Sequence, residues 1–221
     1  QAFEQAAKMF KENKKSFQAA LDEIENPNET QMVTDLIQAA DHRNEYCMGR
    51  IAVENAKIQD KKGDHQASSE KYLSAAKTFQ HIAKTADSEE ERKELGLIAT
   101  LSNAWQKMTQ AEAEASPRLY MEAAQLFEEA KDLSPNEQAK MLALGHSRFC
   151  KALEVGTNFA DTMETTLHAA AVKHLESAAN FYVKAGCQNA SEYAKATGFL
   201  LDAYLHIDNA KKETDPEKKA R

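Results

Sequence analysis

Apolar residues recur along this chain at helical spacing almost without a break. Phe3, Ala6, Ala7 and Phe10 stand at i, i+3, i+4 and i+7 and so share one helix face. The same figure returns as Tyr72, Ala75, Ala76 and Phe79, as Tyr120, Ala123, Ala124 and Phe127, and as Leu175, Ala178, Ala179 and Tyr182. Two large residues bracket two alanines each time. The alanines admit a neighbouring helix closely, and the large side chains fill the space above and below. A second figure alternates with the first: Ala104-Trp105 before Gln110-Ala111, Ala152-Leu153 before Asn158-Phe159, and Ala203-Tyr204 before Asn209-Ala210. Two alternating figures predict stacked helical hairpins, each using the next as its cover.

Start and stop signals cut this pattern into segments. Asn28-x2-Gln31, Ser88-x2-Glu91, Ser134-x2-Glu137, Asp161-x2-Glu164 and Asn189-x2-Glu192 read as capping boxes or their Asn/Asp relatives. Ser116-Pro117, Ser134-Pro135 and Asp215-Pro216 put Pro at a first helical position, and Gly63 and Gly186 stand where a left-handed residue ends a helix. The marks predict eight helices, 2–25, 29–62, 64–86, 88–114, 117–132, 135–158, 162–185 and 190–213, with a ninth starting at Pro216. Short connections make neighbours antiparallel. Seven Gly and four Pro supply too few turns for a sandwich or barrel. The expected fold is all-α, without a sheet: antiparallel hairpins stacked as one solenoid domain over 1–221. Helical pattern is already running at Phe3 and restarts at Pro216, so the chain reads as a piece of a longer protein.

Tyr120-x2-Ala123-x3-Phe127-x2-Ala130-x4-Pro135 resembles the second half of a tetratricopeptide repeat: aromatic, small, aromatic, small, then Pro. Around Tyr72 the last two places hold Ile82 and Asp87, and Leu175 stands in the first aromatic place of the final copy. The Trp and Leu-Gly of the family's first helix have no counterpart here. The long helices with Ala-Ala-aromatic pairs are similar to the SNAP-type, soluble-adaptor branch. This resemblance implies a right-handed α-solenoid and a protein-binding scaffold whose first helices line the concave side. By this alignment the second, fourth, sixth and eighth segments are those first helices. Their polar sides carry Asn103 and Lys107, then Arg148, Lys151 and Asn158, then His206 and Asn209, with Gln110 and Asp202 beside them. Such a stripe of donors and positive charge would hold an acidic or carboxylate-terminated peptide.

Charge and chemistry narrow the class further. Lys+Arg 28 against Asp+Glu 35 gives a net charge of −7, which speaks against a nucleic-acid binder or a ligand of acidic membranes. No apolar run approaches the length of a membrane span. Cys47, Cys150 and Cys187 are odd in number and widely spaced, which fits a reduced, cytoplasmic chain rather than a disulfide framework. Phosphate-cradling glycine motifs and HExxH are missing. Glu164 with His168 reads as a solvated one-turn pair. His42, Tyr46 and Cys47 share a face, but no third group orients them for nucleophilic chemistry. No catalytic residue, metal site or cofactor is expected. The expected function is a non-enzymatic protein–protein interaction scaffold that binds a peptide or helix in a groove. The alternative is a regulatory or sensor segment of a multidomain signalling protein.

Overall fold

The computed structural model describes residues 1–213. These form eight helices: α1 (Ala2–Leu21), α2 (Pro27–Lys61), α3 (His65–Thr85), α4 (Glu89–Glu114), α5 (Pro117–Leu133), α6 (Glu137–Thr162), α7 (Thr165–Lys184) and α8 (Gln188–Lys212). No strand occurs among the described residues, and no helix among them is long and apolar enough to cross a membrane. The helix expected from Pro216 lies outside the described residues.

Local chemistry explains most boundaries. Ser88 Oγ accepts from the Glu91 amide at 3.1 Å and caps α4 as expected. Gly63 and Gly186 take φ of 78° and 73°, a region costly for any residue with a Cβ. Other caps are displaced from their expected places. Asn26, not Asn28, caps α2: its Oδ1 accepts from the Asn28 amide at 3.0 Å, with Pro27 in the first turn. Asn136, not Ser134, caps α6 through the Ala139 amide at 2.9 Å. Ser134 Oγ instead donates to the Ala130 carbonyl at 2.7 Å and closes α5. The Asp161 box does not form, because α6 continues to Thr162 and ends on Met163 in the left-handed region at φ 56°. α8 begins at Gln188, so Asn189 lies inside it rather than capping it.

The helices divide into two compact units, Gln1–Ser102 and Asn103–Arg221, the second described through residue 213. The division falls within α4. In the N-terminal unit α2 packs along both α1 and α3. Its core joins Ala75, Phe79 and Ile82 of α3 to Ala86, Leu95 and Ala99, with Tyr46, Ala52 and Val53 of α2 against them. Phe79 meets Tyr46 edge-on at 5.7 Å and lies on Gly49, where a Cβ would fall 2.8 Å from its ring. In the C-terminal unit α6 packs along α5 and α7, and α7 along α8. Phe127 meets Trp105 edge-on at 5.3 Å. Tyr182 lies on Gly145, where a Cβ would fall 2.6 Å from the ring. The aromatic–alanine figures of α3, α5 and α7 are buried throughout. That of α1 is buried only at Ala7, although the Arg50 guanidinium sits 5.1 Å above the Phe3 ring.

Candidate functional site

A cleft of about 900 Å³ opens in the N-terminal unit. One wall is α2, with Asp35, Gln38, Ala39, Asp41, His42, Arg43, Glu45 and Tyr46. The other is the end of α3, the connection after it and the start of α4, with His81, Thr85, Asp87 and Glu91. His42 holds the two walls together. Its Nε2 lies 3.2 Å from the Ile82 carbonyl and its Nδ1 3.6 Å from Glu91. A carbonyl oxygen only accepts, so Nε2 donates to Ile82, and Nδ1 faces the carboxylate. Glu45 lies 3.8 Å from His81 Nε2, Gln31 donates to Asp35 at 2.8 Å, and Lys14 of α1 pairs with Asp41 at 2.7 Å. Carboxylates at 35, 41, 45, 87 and 91 thus face one guanidinium, Arg43, among the lining side chains. Cys47, on the same helix, is buried, and that burial raises its thiol above the ordinary range. It is a core residue.

The stripe expected from the even-numbered helices lies wholly in the C-terminal unit, and two of its cations are already engaged. Lys107 Nζ lies 2.8 Å from Glu122 of α5, and this bond holds the Glu122 carboxyl below the usual range. Arg118 approaches the same carboxylate at 3.4 Å. Lys151 donates to Glu128 Oε1 at 3.0 Å, and Ser147 Oγ donates to the same oxygen at 2.9 Å. Burial alone would raise the Glu128 carboxyl; those two bonds and the charges of Lys151 and Arg148 overcome it, and the group is lowered. Arg148 is half-buried, and the fields of Arg148, Lys151 and Lys173 add to burial in lowering His174. Asn158 donates within its own helix to Glu154 at 3.3 Å. Asn103 is half-buried, while His206 and Asn209 stand exposed on α8. Asp202 accepts from His168 of α7 at 2.9 Å, so His168 is engaged across helices rather than with Glu164.

Two features of this unit were not foreseen. His146 sits among Trp105 at 4.7 Å, Phe127 at 5.0 Å and Tyr182 at 5.2 Å between ring centroids. Its Nδ1 shares a 2.9 Å hydrogen bond with the Tyr182 hydroxyl, and burial pushes the imidazole down to about 4. The other feature is α8. Its Ala203-Tyr204 pair does not repeat the burial of Ala104-Trp105: Ala203 is exposed and Tyr204 is 45% exposed. Tyr193 (65%), Phe199 (72%), Leu200 (52%) and Ile207 (51%) are exposed with it. Spacing alone did not show this, because a helix with two apolar sides looks the same whether one or both are covered.

Comparison with known proteins finds no family model, no curated protein and no solved structure that matches this chain.

Proposed function

We propose that this chain is a non-enzymatic protein-interaction scaffold that holds a segment of a partner protein in the cleft of its N-terminal unit. The cleft carries the reading. A volume of about 900 Å³ admits several side chains. The excess of carboxylates on its walls favours Lys or Arg side chains, Arg above all for its two-pronged fit to carboxylate. The tetratricopeptide resemblance implies the same class of work. Burial keeps the Cys47 and Cys150 thiols protonated, which suits structural rather than reactive cysteines. A cytoplasmic location, expected from the unbridged cysteines, belongs to the same proposal.

Titration calorimetry with matched basic and acidic peptide libraries tests it. Basic peptides should bind, more weakly as salt rises, and Glu45→Gln with Asp87→Asn should weaken them at least tenfold. Equal binding of acidic peptides, or indifference to both substitutions, refutes the cleft as the site.

Arg148 favours a second reading, an acidic or carboxylate-terminated ligand on the C-terminal stripe. It is half-buried and its positive field reaches Glu128 and His174, whereas Lys107 and Lys151 are neutralised by α5. Binding of acidic peptides that is lost in Arg148→Ala would select this reading over the first.

A further inference from the structure

We infer that α8 is a self-association helix: its outward face meets the same face of α8 in a second copy, antiparallel, about a two-fold axis near Ala203. The inward side of α8 is already used. Ser191, Ala194 and Gly198 are buried there, Leu175 of α7 lies 3.8 Å from where a Cβ of Gly198 would be, and Leu201 lies at the same distance from that of Gly156 on α6. The outward side carries a seven-residue repeat in three adjoining columns. Tyr193, Leu200 and Ile207 form one, Ala196, Ala203 and Ala210 the next, and Thr197, Tyr204 and Lys211 the third. A merely solvated face has no need of a seven-residue apolar repeat; a seam between two long helices does.

The columns are complementary to themselves. Across the two-fold axis each column meets its own counterpart: the alanine column lets the two backbones approach, and the bulky column beside it fills the seam. Direction follows from charge. A parallel pair would set Lys211 against Lys211. An antiparallel pair sets Leu200 against Ile207 and Lys211 against Thr197. Ala203 then meets Ala203 near the axis, where the helices come closest. Size fits as well. Taking about 200 Å² for a whole aromatic side chain, the exposed parts of Tyr193, Phe199, Leu200, Tyr204 and Ile207 come to on the order of 600 Å², against about 800 Å² per partner in a standard interface.

Sedimentation velocity on the whole chain, from about 1 to 100 μM, reads the assembly, and circular dichroism checks the fold of each variant. The parent should dimerise, and Leu200→Glu should raise the dissociation midpoint at least tenfold with its melting curve preserved. In a Cys187→Ser background, Ala203→Cys should cross-link between copies on mild oxidation, because facing Cα atoms near the axis come within disulfide reach. Lys211→Cys should not cross-link. A parent that stays monomeric at 100 μM overturns the proposal, whether the face is bare or covered by another segment of a longer protein. A dimer indifferent to Leu200→Glu overturns it too, as does cross-linking through Lys211→Cys but not Ala203→Cys. Peptide binding in the cleft is a separate measurement and should be unchanged in Leu200→Glu.

Discussion

α6 and α8 are nearly the same length, 26 and 25 residues, and carry apolar faces of identical spacing, yet they meet different surroundings. On α6 the face is Gly145, Phe149, Ala152, Gly156 and Phe159, and every one of these residues is buried. On α8 the same steps fall on Tyr193, Thr197, Leu200, Tyr204 and Ile207, and none is buried. The small residues of α6 are what a close neighbour requires: at Gly145 the Tyr182 ring occupies the space a Cβ would take. α8 carries large side chains at this spacing on its uncovered side. Periodicity therefore reports that a face is apolar, while the sizes along it report how near the neighbour comes.

The largest difference between the two helices should appear in deletion of matched side chains. Phe159→Ala removes a fully buried ring and should cost about 3–5 kcal/mol. Ile207→Ala, at the corresponding step of α8, should cost less than about 1 kcal/mol in a dilute, monomeric sample. Chemical denaturation of the two variants decides it; equal losses would erase the distinction.

A pH effect of nearly that size should belong to α6. Burial lowers the folded His146 imidazole to about 4 from an ordinary 6.5. The unfolded chain then binds a proton first as pH falls, so stability declines between about 6.5 and 4, by up to about 3 kcal/mol. His146→Phe should flatten that part of the stability–pH curve. The lowered carboxylates Glu122 and Glu128 act lower still, their contribution being present above the ordinary carboxylate value and lost as pH falls below it through their lowered folded values. A slope unchanged in His146→Phe would show that another group titrates in that window.

Overpacking should discriminate by a smaller margin. Gly145→Ala places a methyl against the Tyr182 ring, and strain of this kind costs about 1–3 kcal/mol. Gly96→Ala, where a Cβ would meet nothing within 4 Å, should be neutral or slightly stabilising, because alanine favours a helix by about 1 kcal/mol over glycine. Thermal melts that place the two variants together would show that Tyr182 moves aside freely.

Much of this was legible in the chain, and the misses have identifiable causes. The buried stripes of α3, α5 and α7 follow directly from large–small–small–large spacing, because helix packing selects by size and period. Caps were harder where candidates adjoin. Asn26 and Asn28 both suit a helix start, and Pro27 between them decides for Asn26; Ser134 and Asn136 compete until Ser134 bonds back to Ala130. His146 escaped notice because an imidazole counts as polar by type, although burial keeps it neutral and aromatic neighbours treat it as a ring. The cleft was invisible for a different reason. Its carboxylates come from α2 and from residues 87–91, which only the tertiary fold brings together, and on either segment alone they read as solvated charge. For the stripe from Asn103 to Asn209 the sequence does not show which side chains lie across from it, and Glu122 and Glu128 of α5 change the meaning of Lys107 and Lys151.

Amide hydrogen exchange at low and high protein concentration tests the contrast between α6 and α8 most directly, since protection follows the free energy of local opening. α6 should be strongly protected at every concentration, because helices of its own chain cover both of its apolar sides. α8 between residues 193 and 211 should exchange faster in dilute protein and slow at least tenfold as concentration rises, as a second copy covers its outward face. An α8 already as protected as α6 in dilute protein, with no dependence on concentration, would contradict the account.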